Sequence, residues 1–215
     1  IKSSAASDVY KRQLAVDECG EVVDGDQLMS ICGNYMKQKG TLKKNTIVAT
    51  VMSNLGMFLM GEREGIHIEK TKVGDRYVLE NMLENGYNIG GEQSGHIIFL
   101  DENTTGDGLL SALHLLQVMT ETKKKLSELA SIMEVLPQAL VNAKVPNHKK
   151  EHFEEYAEIA EAIAEVEAKF AGEGRVLIRP SGTEPLVRVM IEGKDQQLIE
   201  SEAQKLAELI SSIML

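Results

Sequence analysis

From Asp24 onward, short β-rich runs alternate with segments of helical period, and few architectures other than a layered α/β sheet accept that alternation. Asp24 or Asp26 can cap a helix running through Met29 and Ile31. Thr46 to Val51 is a buried β-rich run, Leu55 to Met60 is apolar and helical, and Ile66 to Thr71 returns to strand. Asp75 to Leu83 reads as a helix stopping at Asn85-Gly86, a fitting C-cap. Asn88 to Gly90 and Ile97 to Leu100 read as short strands. Thr105-Gly106-Asp107 then opens a long helix whose apolar face carries Leu109, Leu113 and Leu116. The expected fold class is α/β, with a three-layer mixed α/β domain over residues 24–136.

Near Pro137 the pattern changes. Gln138 to Val145 reads as a strand ended by Pro146-Asn147, and Tyr156, Ile159, Ile163, Val166 and Phe170 recur at helical spacing. Two apolar runs follow, Val176-Leu177-Ile178 and Val187 to Ile191. The final helix carries Ile199, Ala203, Leu206, Ile210 and Ile213 in 4-3-4-3 steps, a stripe that packs on a sheet. Residues 137–215 therefore read as a small α+β C-terminal domain, its sheet covered by two helices.

The formal net charge is −10, so no global basic field for nucleic acid exists and nucleic acid is not an expected partner. Part of the negative charge lies between Glu151 and Phe170, with seven Glu against one Lys, the solvated face of a helix. The pair His148 and His152, with Lys149-Lys150 between them, reads as solvated too. Cys19 and Cys32 are the only cysteines and have no His or Cys cluster beside them, which argues against a zinc site or a disulfide framework. Free thiols in a reducing cytoplasm are the simpler reading. No apolar run has the length of a membrane span.

Between the last two strand runs lies Arg179-Pro180-Ser181-Gly182-Thr183-Glu184-Pro185-Leu186-Val187-Arg188. Two guanidinium groups offer planar forks of donors matched to phosphate oxygens. Ser181 and Thr183 add hydroxyl donors, and Gly182 lets successive N–H groups turn toward one anion. A local cluster of this kind suits a small anionic ligand on an acidic chain. A second polar segment, Gly91-Glu92-Gln93-Ser94-Gly95-His96, joins two short strands. The Glu92 carboxylate accepts two hydroxyl hydrogen bonds at once, Ser94 donates and accepts, and Gly90, Gly91 and Gly95 let the backbone come close to a ligand. In Lys72-Val73-Gly74-Asp75-Arg76, Lys72 and Arg76 stand near a helix N-terminus and offer an anion contact.

The Arg179–Arg188 segment resembles the phosphate-binding loop of the α-D-phosphohexomutase superfamily, and the Gly91–His96 segment resembles its sugar-recognition loop. The resemblance runs from about Leu14 to the C-terminus. It implies phosphate contacts from Arg179, Ser181, Gly182, Thr183 and Arg188, sugar contacts from Glu92, Ser94, Gly91 and His96, and cleft contacts from Lys72 and Arg76. Gln93 stands where relatives acting on mannose or glucose phosphates more often carry Met, which favours glucosamine phosphates. The implied activity interconverts glucosamine 6-phosphate and glucosamine 1-phosphate, on the route to UDP-N-acetylglucosamine. A phosphoserine donates its phosphoryl group, a hexose or glucosamine bisphosphate forms and reorients, and the other phosphate returns to the serine. Mg²⁺ neutralises charge at the transferring group. The alternatives are a phosphomannomutase or phosphoglucomutase fragment, and a non-catalytic sugar-phosphate binding module.

The sequence departs from the superfamily upstream. Residues 1–13 fit no part of it and read as vector- or assembly-derived, and residues 14–23 read as a remnant of a preceding metal-loop domain. By alignment Arg12 matches the end of the metal loop, but Ser7, Val9 and Lys11 occupy the aspartate positions, where Mg²⁺ would need carboxylates. The phosphoserine loop is not found, so no catalytic residue and no metal ligand is assigned, and the chain alone is expected to be inactive. Leu14 to Asp17 would be a strand without its partners, leaving an exposed edge. The longer parent is expected to be cytoplasmic, with a small-molecule sugar phosphate as ligand, no membrane partner, and a homodimer as its candidate assembly.

Overall fold

The structure is a computed structural model in which residues 14–172 and 174–215 are described. Positions 7, 9, 11 and 12, on which the metal-loop comparison rests, lie outside the described residues. The chain divides into two compact units, at Val135 and Leu136.

The first unit starts with a two-residue antiparallel pair, β1 (Ala15–Val16) with β2 (Val22–Val23). This corrects the expectation of a strand without partners: Asp17 accepts from the N–H groups of Cys19 and Glu21 and turns the chain back on itself. Helix α1 (Gly25–Gln38) follows, capped by Asp24. The capping box is complete: Gln27 N–H donates to Asp24 Oδ1 at 3.1 Å, and Asp24 N–H donates to Gln27 Oε1 at 3.2 Å. Asp26, the other candidate cap, is instead fully buried and accepts from Asn54 N–H at 2.7 Å.

Strands β3 (Thr46–Thr50), β4 (His67–Thr71), β5 (Ile89–Gly91) and β6 (Ile97–Phe99) form one sheet in the order β4-β3-β5-β6. The first three are parallel and β6 is an antiparallel edge. Every residue of β3 is buried, as expected for a central strand covered on both faces. Ile47 and Ala49 join a core with Met29, Met57 and Leu115, from α1, α2 (Leu55–Glu64) and α4 (Gly108–Thr122). Val48 points the other way, onto Val78 and Met82 of α3 (Asp75–Asn85). Alternation along one strand thus feeds two cores and makes the three layers. Gly86 closes α3 in the left-handed conformation, at φ 69°. A short helix, α5 (Leu126–Ala130), completes the unit.

One helix is rotated from expectation. Leu109, Leu113 and Leu116 of α4 are 71%, 56% and 55% exposed, whereas Ser111, Leu115 and Val118 are buried. Leucines surround this helix, so its period does not say which face packs. The face carrying the small residues Gly108 and Ser111 is the buried one.

In the second unit β7 (Gln138–Lys144), β9 (Leu186–Gly193) and β8 (Gly174–Pro180) form an antiparallel sheet in the order β7-β9-β8. Helices α6 (Ala157–Lys169) and α7 (Gln196–Met214) share a core with Ala139, Ala143, Val187, Val189 and Ile191. Ile199, Ala203, Leu206 and Ile210 of α7 are buried, the expected stripe. The seven glutamates from Glu151 to Glu167 are all exposed.

Candidate functional site

In the first unit the strand order reverses at β3: the chain runs from β3 out to β4, then returns across β3 to β5. In open α/β sheets ligands bind outside the carboxyl ends of strands at such a switch point. The segment following β5 is Glu92 to Gly95, so topology alone brings the predicted sugar loop to this place.

The loop is fixed on three sides. Glu92 N–H donates to His96 O and Gly95 N–H to Glu92 O, both at 3.0 Å, closing the turn between β5 and β6. Gly25 N–H donates to Gln93 O at 2.9 Å, and Gln93 Nε2 donates to Asp24 Oδ2 at 3.1 Å. Asp24 therefore caps α1 with one oxygen and holds the loop with the other. A Cβ on Gly25 would stand 2.2 Å from Glu92 O, so only glycine allows this approach. Third, Gly74 N–H donates to Glu92 Oε1 at 3.0 Å. Glu92 is half-buried, and its Oε2 takes no protein donor among the described residues. Glu92 and the segment from Lys72 to Arg76 are thus brought together, as the sequence suggested.

The other predicted residues of this unit fall differently. Ser94 is exposed at the loop tip. Lys72 is exposed, and Arg76 is exposed and paired with Glu80 at 2.7 Å. Gly91 is buried, and a Cβ there would lie 2.4 Å from His96 O, so packing within the protein already explains this glycine. His96 is 3% exposed: its Nε2 accepts from Gly106 N–H at 3.2 Å and lies 3.6 Å from Asp75 Oδ2. This ring is held inside the fold.

In the second unit Arg179 and Arg188 are direct partners in the β8–β9 register, and Asn142 of β7 is the partner of Arg188 on its other side. Opposed residues share a face, so Asn142, Arg188 and Arg179 form one polar row on the face away from the two helices. Burial, and next the positive charge of Arg188, hold the Arg179 guanidinium below the usual arginine value. Arg188 reaches Glu184 Oε2 through Nη2 at 3.1 Å, while its Nε is buried with no hydrogen-bond partner among the described residues. A buried donor without an acceptor costs about 1–3 kcal/mol, and like charges opposed on a sheet add to that. An anion between the two guanidinium groups would offset the repulsion between them.

Ser181 is buried and anchors the loop: its N–H donates to Leu186 O at 2.9 Å, and its Oγ accepts from Glu184 N–H at 3.2 Å. Gly182 and Thr183 are exposed at the tip. Gly182 has no positive φ, and a Cβ there would meet no protein atom within 4 Å, so the turn itself does not require glycine. Its place in an anion site would instead concern room for the ligand.

Lys150 was misread. It is 8% exposed rather than solvated, and its Nζ donates to the carbonyl oxygens of Ser181 and Glu184. A lysine pair in a polar stretch carries no signal of this, because the contact spans more than thirty residues. Gln93's bond to Asp24 was equally invisible. Among the described residues no group of three or more His, Cys, Asp or Glu is placed to hold a metal.

The fold and its two loops define a class: an α/β/α layer unit with a polar loop at its switch point, followed by a small antiparallel unit that opposes two arginines across neighbouring strands. The family profile described as phosphoglucomutase/phosphomannomutase, alpha/beta/alpha domain III, matches residues 24–136, and that family's C-terminal domain profile matches residues 140–209. The chain belongs to the phosphoglucomutase/phosphomannomutase family. It is 63% identical over 199 residues to the phosphoglucosamine mutase of Ruminiclostridium cellulolyticum and 64% identical over 199 residues to that of Acetivibrio thermocellus. Each match covers 93% of this chain and 44% of the relative, so the chain spans a little under half the length of the curated relatives it matches. The same fold occurs in the N-acetylphosphoglucosamine mutase of Aspergillus fumigatus, solved with GlcNAc-6P and magnesium. That likeness has a TM-score of 0.74 at 18% identity over 94% of this chain and 46% of that one.

Proposed function

We propose that this chain carries the substrate-recognition part of a phosphoglucosamine mutase, which interconverts glucosamine 6-phosphate and glucosamine 1-phosphate through a phosphoserine and a bisphosphate. Residues 24–136 are assigned to sugar recognition, through Glu92 and Ser94, and residues 137–215 to phosphate binding. The observation that carries the reading is the Arg179–Arg188 pair, with Arg188 Nε buried and lacking an acceptor. Arg179, Arg188, Thr183 and the Gly182 backbone hold the phosphate, and Ser181 shapes the loop from beneath.

Glu92 suits a sugar read in two flipped orientations. Gly74 fixes one carboxylate oxygen, and the other accepts from whichever ring hydroxyls are presented. His96 supports the loop and Lys72 serves as the more available of the two cleft cations, since Arg76 is engaged by Glu80. In proteins of the relatives' full length, Mg²⁺ would supply charge neutralisation at the transferring phosphoryl group. The carboxylates described in this chain do not fit that ion as a group, so no step of recognition here involves it. The chain by itself is assigned no turnover. Its working compartment is taken to be the cytoplasm; among the described residues no helix is long and apolar enough to cross a membrane.

Isothermal titration of glucosamine 6-phosphate, glucose 6-phosphate and mannose 6-phosphate into the chain tests the reading. Binding of the amino-sugar phosphate, with weaker binding of the other two, supports it. No binding of any of them would remove it.

A further inference from the structure

Lys150 begins a single 3₁₀ segment, Lys150–Glu155, just after β7. Its backbone is set by the preceding turn, where Lys149 and Lys150 N–H both donate to Pro146 O. The two lysines part company there. Lys149 Nζ donates to Met214 O at 2.8 Å, at the C-terminal end of α7, an ordinary helix-end contact. Lys150 turns inward beneath the Arg179–Arg188 loop and donates to Ser181 O, and to Glu184 O at 3.3 Å. Val145 N–H, from the same stretch, donates to Pro185 O at 3.1 Å. Three loop carbonyls are thus drawn onto one short segment.

Burying an ammonium group without a carboxylate is costly, and an isolated hydrophobic contact never requires it. Among the described residues no carboxylate pairs with Lys150; its described acceptors are the two carbonyls. A loop that binds an anion through N–H groups must direct its carbonyl oxygens elsewhere, because their negative ends repel a phosphate. Among the described residues no protein group accepts from the N–H of Gly182 or Thr183.

We propose that Lys150 is a positioning residue of the phosphate loop: its buried ammonium gathers the Ser181 and Glu184 carbonyls, leaving the N–H groups of Gly182 and Thr183 for a sugar phosphate, and it adds a third positive charge behind the two guanidinium groups. The inference rests on the sugar-phosphate reading of the same loop. It also explains why the ammonium carries no protein counter-charge: the ligand supplies it.

The test uses the 215-residue chain and its Lys150→Met and Lys150→Arg variants, with two measurements. Amide hydrogen exchange at Ser181, Glu184 and Leu186 reports loop order without ligand, and titration with glucosamine 6-phosphate reports binding. In Lys150→Met, β7, β9 and α7 keep their protection, the three loop amides exchange at least tenfold faster, and affinity falls at least tenfold. Lys150→Arg recovers most of both losses. A Lys150→Met chain with loop exchange and affinity within twofold of the parent overturns the proposal, as does a failure of Lys150→Arg to rescue. If Lys150→Met does not fold, Lys150→Gln takes its place with the same criteria. If the unaltered chain binds no glucosamine 6-phosphate, the sugar-phosphate reading fails; exchange then decides alone whether Lys150 orders the loop.

Discussion

Arg179 and Arg188 face each other directly across β8 and β9, with Asn142 completing the row. Glu184 reaches Arg188 from the loop side, at Nη2, leaving Nε without an acceptor. A sheet that only needed to fold would not oppose two arginines in this way. An anion between them would relieve the repulsion, which is the basis for the phosphate-binding role proposed for the pair.

Arg188→Ala is therefore expected to weaken glucosamine 6-phosphate binding by at least tenfold, the equivalent of losing a charged hydrogen bond worth about 1.5–3 kcal/mol. Titration calorimetry measures it. Because the substitution also removes the repulsion with Arg179, thermal stability should hold or rise. A variant that melts like the parent and binds equally well would take Arg188 out of the site.

Glu92→Gln keeps an oxygen for Gly74 N–H but loses the charge that strengthens hydrogen bonds from sugar hydroxyls. Affinity for glucosamine 6-phosphate is expected to fall about tenfold, in line with one charge-assisted bond, while affinity for inorganic phosphate stays as it was. Comparing the two ligands in one calorimetric series separates sugar from phosphate recognition. Equal losses for both would show that Glu92 acts on the loop as a whole.

Gly25→Ala brings a Cβ against backbone, 2.2 Å from Glu92 O and 2.9 Å from Gln93 O. The α1 N-terminus and the sugar loop must separate, at a cost of about 1–3 kcal/mol by the usual scale of overpacking. A lowered melting temperature in differential scanning calorimetry, accompanied by weaker glucosamine 6-phosphate binding, is the expected pair of results. An unchanged melting temperature would mean that the approach is looser than the structure shows.

The two cysteines should behave oppositely. Cys32 is buried in the first core, and burial pushes its thiol up to about 12 from 9.0. Cys19 is exposed. At pH 8 a thiol reagent is expected to label Cys19 in the native chain and Cys32 only after unfolding, as mass spectrometry of tryptic peptides would show. The linkage has a definite sign: folding holds the Cys32 proton, whereas the unfolded chain releases it above pH 9.0. The contribution of this thiol to stability is constant below pH 9.0 and declines as the pH rises from there toward 12. Cys32→Ser should remove that alkaline decline in urea titrations.

The local signals that sequence carries well are period, caps and turn chemistry, and these determined most of the element order, an aspartate cap on α1 (Asp24 or Asp26), the stop of α3 at Gly86 and the apolar stripe of α7. They also singled out Glu92, Arg179 and Arg188 as candidates, because the chemical character of a short polar loop between strands is legible without knowing what surrounds it. Tertiary structure decided what depends on distant partners. It chose which face of α4 is buried, since leucines on several faces leave the period uninformative. It paired Val16 with Val22 in the strand expected to stand alone. It turned His96 toward Gly106, tied Gln93 to Asp24, and drew Lys150 beneath a loop more than thirty residues away. Those contacts follow from strand register and helix packing, which set long-range distances that no short stretch of sequence encodes.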